Sequence, residues 1–274
     1  MSRGSIAALV GLVVSVAACS NAGAIVTSPA TSSTSGGARV ELTVYAAASL
    51  KTALEAVRTA YEAAVPGVTL TIATDASSTL RTQIEQGAPA DVFLSADQKN
   101  PEALVGAGLA DGPEVVFAGN SLSIVVPTDD PAHISTPADL ARPGVKIIAA
   151  GPDVPISTYA EQQIALLAGL PGYPPGFADG YRANIVSKEQ NVEAVVAKIE
   201  LGEGDAAIVY ATDTKESTKV RTIPLPDSAR VIATYAGVVV KRSRRIDAAH
   251  AFLVWLAGSA GFAVLGSFGF SRTS

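Results

Sequence analysis

The sequence contains very few residues of the kinds that build metal centres and disulfide bonds. Its 274 residues include one cysteine and two histidines. One chain therefore cannot supply a zinc site of four cysteines, of paired cysteines and histidines, or of three histidines. A single cysteine also forms no intrachain disulfide bond. Aromatic residues make up only 5% of the chain, which disfavours a site that stacks sugars or nucleobases.

An excess of positive charge is also missing. The formal net charge is −5, whereas a nucleic-acid-binding protein needs a basic surface that displaces counterions from phosphates. Charged residues are 16% and hydrophobic residues 48% of the chain, and this balance excludes a disordered protein. At roughly 150 residues per domain, the length corresponds to a little under two domains.

Common catalytic motifs are absent as well. The sequence has no G-x-S-x-G elbow, no H-E-x-x-H pair and no phosphate-binding G-x-x-x-x-G-K-[ST] loop. Residues 202–207 (GEGDAA) match a dinucleotide-binding pattern, but they follow a predicted helix and precede a predicted strand, which reverses the required order. His133 and His250 have no serine or aspartate motif nearby, and we expect them to be solvated or packed.

The N-terminal residues are typical of a lipoprotein signal peptide. Arg3 precedes a short apolar stretch, residues 6–16, which is too short to span a bilayer comfortably. Residues 16–19 (VAAC) resemble a lipobox, where cleavage leaves an acylated cysteine at the new N-terminus. We therefore expect residues 1–18 to be removed, Cys19 to be lipidated and residues 20–38 to form a flexible tether. The alternative is an ordinary signal peptide with an incidental cysteine.

Strand and helix patterns alternate through the rest of the chain. Residues 40–47 are predicted as a strand, residues 50–64 as a helix with apolar side chains at helical spacing, and residues 114–118 and 122–127 as two separate strands. Such alternation predicts an α/β fold whose sheets are mainly parallel and covered by helices.

An uncharged stretch near the C-terminus allows two interpretations. Residues 251–270 carry no charge and approach the length of a membrane span. Gly258 and Ser259 interrupt the stretch, and Ser259 can cap a new helix. We predict two short buried helices, 246–257 and 260–267, with a transmembrane span as the alternative.

Small hydroxyl residues follow two of the predicted strands. Ser49 lies in residues 46–50 (AAASL), and Ser77 lies in residues 75–80 (DASSTL). Each is predicted at or near a helix N-terminus, where the hydroxyl and the free backbone N–H groups form a site for an anion. Two such termini facing one cleft would hold a dianion with dipoles and neutral hydrogen bonds. Taken singly, each serine is most simply a helix cap.

The same segments carry a family resemblance. Residues 46–50, residues 77–80 (SSTL) and above all residues 83–97 (QIEQGAPADVFLSAD) resemble the periplasmic molybdate-binding proteins of bacterial molybdate ABC transporters. The resemblance continues in the family's order at residues 119–122 (GNSL), 154–155 (VP), 159–160 (YA), 191–192 (NV), 207–213 (AIVYATD) and 269–270 (GF). It implies a two-lobed periplasmic binding protein fold of type II, with the anion between the lobes.

Five ligand contacts are implied by the resemblance, position by position. Ser49 and Ser77 would donate through hydroxyl and backbone N–H, and Tyr210 through its phenolic O–H. Ile156 and Val192 would each donate a backbone N–H. Molybdenum would be held only as the oxyanion, with no protein atom bound to the metal and no other cofactor.

Two features depart from the family pattern. Residues 156–158 (IST) replace a smaller segment that contains glycine, so the chain loses conformational freedom at Ser157. Asp75 stands where the family usually has a small residue, and an inward carboxylate would repel a dianion. We expect Asp75 to point outward or to cap the following helix.

The resemblance also implies how the chain is divided. Lobe 1 is expected to comprise residues 39–118 and 232–270, and lobe 2 residues 119–231. Each lobe would have a mainly parallel sheet, and two crossing strands would form a hinge that closes the lobes on the ligand.

The favoured function is anion capture for transport. The protein would be a monomeric lipoprotein on the outer face of the cell membrane that binds molybdate and tungstate and delivers them to an ABC permease. No bond is made or broken in this account, and no nucleic acid takes part. A binding protein for another oxyanion, sulfate or phosphate, is the alternative. A cell-surface hydrolase that uses Ser49 or Ser77 as nucleophile is a remote alternative, because neither serine has a partnered base.

Overall fold

A computed structural model describes residues 39–215 and 217–273. The predicted signal peptide, the tether and the lipidation of Cys19 lie outside these residues. The described residues belong to one compact unit, Gly37–Ser274.

Nine strands lie in the described part of the chain, and seven of them form one sheet. The order in this sheet is β2-β1-β3-β9-β4-β7, with β8 paired to β4, while β5 and β6 form a separate pair. The strands are β1 (Val40–Ala47), β2 (Val68–Asp75), β3 (Val92–Ser95), β4 (Val115–Pro127), β5 (Ile147–Ala150), β6 (Ile185–Glu189), β7 (Ala207–Tyr210), β8 (Val220–Ile223) and β9 (Ile232–Val239).

Eight α-helices connect and cover these strands within the same described residues. They are α1 (Lys51–Ala64), α2 (Ser77–Glu85), α3 (Lys99–Gly106), α4 (Pro155–Ala168), α5 (Phe177–Ala183), α6 (Val192–Glu200), α7 (Ile246–Ala257) and α8 (Ser259–Ser267). Single turns of 3-10 helix occur as well, and two of them, Ala48–Leu50 and Ala211–Thr214, directly follow β1 and β7.

Helix α1 shows how an amphipathic pattern positions an element. Its buried residues recur at helical spacing and include Leu54, Val57 and Tyr61, so one face packs on the core while the opposite face is solvated. The Tyr61 ring makes edge-to-face contacts with Phe252 and Trp255 of α7, at centroid distances of 4.9 and 5.1 Å. These contacts fix α7 beside α1.

The large sheet is mixed, although strand–helix alternation predicted mainly parallel sheets. Strand β1 is parallel to both β2 and β3. Strand β9 is antiparallel to β3 and to β4, and β4 is antiparallel to β7 and β8. The C-terminal part of the chain thus returns β9 to the middle of the sheet, where it joins the two groups of strands. The lobe boundaries and the hinge stay predictions.

Strand β4 corrects one prediction. The sequence predicts two strands, residues 114–118 and 122–127, with residues 119–121 (GNS) between them. The structure has one strand, Val115–Pro127. Its pairing with β9 continues through Gly119, Asn120 and Ser121, and a register shift at Val116–Ala118 absorbs the irregularity.

Residues 202–207 form the turn that the sequence predicts. Helix α6 ends at Glu200 and β7 begins at Ala207. Gly202 has a φ of +72°, and a Cβ on Gly204 would lie 2.3 Å from Cγ1 of Ile148. Both glycines are therefore required by the turn and by its packing, and the segment is no dinucleotide-binding loop.

The two C-terminal helices were predicted within a residue of where they lie. Their junction differs in one respect, because the N-cap of α8 is Gly258, with no side-chain cap, and Ser259 is already helical. Among the described residues no single helix is long and apolar enough to cross a membrane. Helices α7 and α8 reach that length and composition only as a pair, which is bent by 58°.

Candidate functional site

Four of the five predicted ligand residues line one small pocket. Ser49, Ser77, Val192 and Tyr210 surround it, and the remaining lining consists of Ala47, Ala48, Ala76, Ala96, Val154, Pro155 and Asn191. The pocket lies where β1, α2, α4, α6 and β7 meet. Alanine side chains leave the backbone accessible, and the hydroxyl-bearing residues Ser49, Ser77 and Tyr210 lie among them.

Ser77 is placed to donate its hydroxyl proton. The residue is 1% exposed, and it is the first residue of α2, whose N-cap is Ala76. The backbone N–H of Ala96 donates to Ser77 Oγ at 3.1 Å. Because this bond uses a lone pair of Oγ, the hydroxyl proton remains available for a ligand. The prediction that Ser77 caps a helix is wrong, since no side chain caps α2.

Ser49 is not a helix cap either. It lies inside the 3-10 turn Ala48–Leu50, which has no side-chain cap. Its Oγ is 2.7 Å from the hydroxyl of Tyr235, a residue of β9 that is fully buried. The sequence indicated that Ser49 would face an anion but contained no local signal for this partner, because the two residues are 186 positions apart.

Tyr210 has a buried hydroxyl that the protein leaves without a partner. The residue is 1% exposed, and its OH makes no hydrogen bond with any described residue. Burial, together with the nearby Tyr235 and Tyr159, raises the pKa of Tyr210 well above its usual value. The phenol is therefore protonated at neutral pH, and it is a neutral donor that lacks an acceptor. A buried group of this kind is costly unless something binds it.

Asp213 holds the backbone at Tyr210. The N–H of Tyr210 donates to Oδ2 of Asp213 at 3.0 Å, which fixes the start of the 3-10 turn Ala211–Thr214. Burial raises the pKa of Asp213 to about 7, and the bond from the Tyr210 backbone counteracts this shift in part. Asp213 ends the segment 207–213 of the resemblance, but no local pattern indicates that its side chain binds this backbone N–H.

Val192 and Ile156 lie at the first turns of helices. Val192 is the first residue of α6, and the N-cap Asn191 accepts a bond from the N–H of Ala194 at 3.0 Å. Ile156 is the second residue of α4. Backbone N–H groups at these positions have no acceptor within their own helix, so both can donate to a ligand.

The Ile156 side chain lies away from the small pocket. Val154 and Pro155 line that pocket, whereas Ile156 lines a different groove with Ala149 and Tyr181. A bulky residue at 156 therefore leaves the pocket unchanged. The next residue, Ser157, stabilises the backbone before α4, because its Oγ donates to the carbonyl of Gly151 at 2.7 Å.

Asp75 bridges to Asn191 rather than pointing outward or capping a helix. Its Oδ1 accepts bonds from the N–H of Ala76 at 2.7 Å and from Nδ2 of Asn191 at 3.0 Å. Neither bond is a cap of α2, so the capping prediction is wrong. The carboxylate does not line the pocket. Asn191 was missed as a functional side chain because its partner is 116 residues away.

Neither serine has a base beside it in the described structure. The hydroxyl of Ser49 contacts Tyr235, and that of Ser77 contacts a backbone N–H. His250 forms a hydrogen bond of 2.8 Å with Asp111, and neither residue lines the pocket. The arrangement suits binding by neutral donors, and a serine nucleophile would need an adjacent base that the described residues do not place there.

Comparisons with known proteins agree on one family. The sequence profile described as "Bacterial extracellular solute-binding protein" matches residues 42–271. The chain is 35% identical to the molybdate-binding protein ModA of Mycobacterium tuberculosis strain H37Rv over 275 residues, covering 99% of this chain and 98% of the relative.

Solved structures with low sequence identity share the fold. The periplasmic molybdate-binding protein of Azotobacter vinelandii superposes with a TM-score of 0.72 at 23% identity, covering 85% of this chain and 100% of that one. The sulfate-binding protein SubI of Mycobacterium tuberculosis superposes with a TM-score of 0.75 at 22% identity, covering 84% and 86%. The predicted two-lobed periplasmic binding protein fold of type II is thereby confirmed.

Proposed function

This chain belongs to the family of bacterial extracellular solute-binding proteins, and we propose that it binds molybdate or tungstate in the pocket beside Tyr210. The observation that carries the proposal is the Tyr210 hydroxyl, a buried donor with no acceptor among the described residues. An oxyanion in the pocket would supply that acceptor. The relatives named as molybdate-binding proteins support the choice of ligand.

The charge on the ligand follows from the groups around the pocket. Three helices, α2, α4 and α6, start at its wall, and the N-terminus of each carries a partial positive charge and free N–H groups. Hydroxyls of Ser49, Ser77 and Tyr210 add neutral donors. A dianion that carries no proton needs only donors, and tetrahedral molybdate and tungstate are such dianions at neutral pH.

The proposal includes delivery as well as capture. Closure of two lobes on the anion would present the loaded protein to an ABC permease in the membrane, and no chemical bond would change. The protein would act as a monomer without a further cofactor. Sulfate is the second candidate ligand, since a sulfate-binding protein shares the fold.

Thermal unfolding provides the first test of this proposal. A ligand at 100 times its dissociation constant stabilises a fold by about 2.7 kcal/mol, or roughly 5–10 °C for a domain of this size. We expect that shift with molybdate and with tungstate for residues 39–274, measured by circular dichroism. Equal concentrations of chloride and perrhenate, a monoanion, serve as controls. No shift with millimolar molybdate or tungstate would refute the proposal.

Membrane attachment provides a second prediction. If Cys19 is acylated, Cys19→Ser removes the only cysteine and releases the protein from the membrane fraction or leaves the signal peptide uncleaved. Immunoblots of fractionated cells measure both outcomes, with Ser20→Ala as the control. A Cys19→Ser protein that is processed and recovered in membranes at wild-type amounts contradicts lipid anchoring.

The bond between Asp75 and Asn191 gives a third prediction. It joins the end of β2 to the start of α6, which the predicted boundaries place in different lobes, so it would form only on closure. Asp75→Asn and Asp75→Ala both remove the charge, but only asparagine keeps an acceptor for Asn191. The alanine variant loses a bond that contributes about 1 kcal/mol, so molybdate should dissociate from it roughly five times faster than from the asparagine variant. Chase of radiolabelled molybdate measures both rates, and equal rates argue against a closing bond.

A further inference from the structure

We propose that Tyr235 is a positioning residue that turns the Ser49 hydroxyl proton toward the bound oxyanion, and that Asn120 fixes the direction of the Tyr235 hydroxyl. The inference rests on the proposed function, and it adds two residues that do not line the pocket. Its basis is a series of hydrogen bonds that leads from the pocket to β9 and β4 of the large sheet.

The hydrogen bonds join four residues that are distant in the sequence. Ser49 Oγ lies 2.7 Å from the hydroxyl of Tyr235. Nδ2 of Asn120 donates to that hydroxyl at 3.3 Å and to Oγ1 of Thr212 at 2.8 Å. Asn120 and Tyr235 are both 0% exposed. The Tyr235 hydroxyl and the Asn120 amide are thus shielded from water and have few other partners, so the orientation of one constrains that of the other.

The proton positions follow from the donors available. Asn120 uses its two N–H groups on Thr212 and on Tyr235, so the Tyr235 oxygen accepts there and its own proton is free for Ser49. Ser49 Oγ then accepts from Tyr235, and its hydroxyl proton can point into the pocket. Burial, with Asp213 nearby, raises the pKa of Tyr235 well above its usual value, so this phenol keeps its proton.

Reversal of these hydrogen bonds would remove the donor at Ser49. If Tyr235 donated to Asn120, its oxygen would accept the Ser49 proton, and Ser49 would present only lone pairs to the pocket. A deprotonated oxyanion would then meet a repulsive oxygen. A donor at Ser49 therefore requires the Asn120 amide to face Tyr235 with its nitrogen, as the structure has it.

Aromatic packing keeps the Tyr235 ring in place without its hydroxyl. The ring makes edge-to-face contacts with Phe117, Tyr210 and Phe270, at centroid distances of 6.2, 5.6 and 5.4 Å. Tyr235→Phe retains all of these contacts and removes only the oxygen. The variant thus separates orientation of the Ser49 proton from packing of the core.

A double-mutant cycle tests the proposal on the full-length protein in detergent. Molybdate affinity is measured by calorimetry for wild type, Tyr235→Phe, Ser49→Ala, Ser77→Ala and the two double variants that combine Tyr235→Phe with each serine change. We expect Tyr235→Phe to weaken binding about five- to tenfold. It should have no further effect once Ser49 is alanine, and its full effect when Ser77 is alanine. Tyr173→Phe is the matched control, because Tyr173 does not line the pocket and its ring packs against Phe177.

Each outcome of the cycle is decisive. The positioning role is overturned if Tyr235→Phe lowers molybdate affinity equally in the Ser49→Ala and Ser77→Ala proteins. It is also overturned if Tyr235→Phe does not lower the affinity of wild type. Both results leave the proposed function intact. Failure of wild type to bind molybdate or tungstate overturns both. If Tyr235→Phe does not fold, as judged by circular dichroism without ligand, Asn120→Leu takes its place in the same cycle. It removes the donor to Tyr235, and the same loss confined to proteins that retain Ser49 is expected.

Discussion

Tyr210→Phe is expected to weaken molybdate binding by roughly 10- to 150-fold, because a hydrogen bond to a charged partner contributes about 1.5–3 kcal/mol. The hydroxyl of Tyr210 is buried and has no partner among the described residues. Its removal therefore costs binding energy without breaking a bond within the protein. Isothermal titration of wild type and variant measures the loss.

The stability of the ligand-free protein should not fall with this substitution, although the affinity for molybdate does. Burial of an unpaired hydroxyl is unfavourable, so Tyr210→Phe should leave the melting temperature of the free protein unchanged or raise it. Ser77→Ala differs, because it also deletes the acceptor for the Ala96 N–H and should lower the stability of the free protein. Ser78→Ala and Tyr173→Phe are controls with wild-type affinity. A Tyr210→Phe protein that binds molybdate like wild type contradicts the assigned donor.

Selectivity should be steep, with molybdate and tungstate bound far more tightly than sulfate and with no detectable binding of phosphate. The pocket presents hydroxyl and N–H donors, whereas phosphate keeps a proton near neutral pH and needs an acceptor. Sites that leave a buried polar group unpaired discriminate by factors of about 10⁴ or more. Sulfate has shorter bonds, so its oxygens would lie too far from donors on both sides of a closed cleft.

Asp75 is the carboxylate that could have reversed this selectivity. The structure commits its Oδ1 to Ala76 and Asn191 and keeps the side chain out of the pocket lining. Calorimetric titration at pH 7 with all four anions, on wild type and on Asp75→Ala, measures the outcome. Phosphate bound as tightly as molybdate, and lost in Asp75→Ala, would place this protein among phosphate binders.

Sequence patterns predicted the elements of this fold better than their ends. Strand β1 lies where it was predicted. The sequence also predicts a helix over residues 79–86 that ends at Gly87, and Gly87, two residues past the end of α2, has a φ of +95°. The sequence predicts a helix over residues 159–168, whereas α4 starts four residues earlier, at Pro155, because the polar residues 157–158 conceal its first turn. Helix α5 was not predicted at all, because glycine and proline surround a segment of only seven residues.

Positions in the site were predictable where they depend on local backbone, and hidden where they depend on distant partners. The resemblance implied Val192 as a backbone donor, and the structure places it as the first residue of α6, directly after the N-cap Asn191. The partner of Ser49 could not be inferred, because it comes from β9 at the other end of the chain. Likewise, no local pattern indicates that Asp75 faces Asn191, since tertiary packing alone brings them together.

The most direct test of the central claim is a crystal of the protein grown with molybdate, with diffraction collected on both sides of the molybdenum absorption edge. The anomalous difference map locates the metal without reference to any assumed ligand. We predict one strong peak among the hydroxyls of Ser49, Ser77 and Tyr210 and the first turns of α4 and α6. A peak elsewhere on the protein, or no peak at saturating molybdate, would contradict the account.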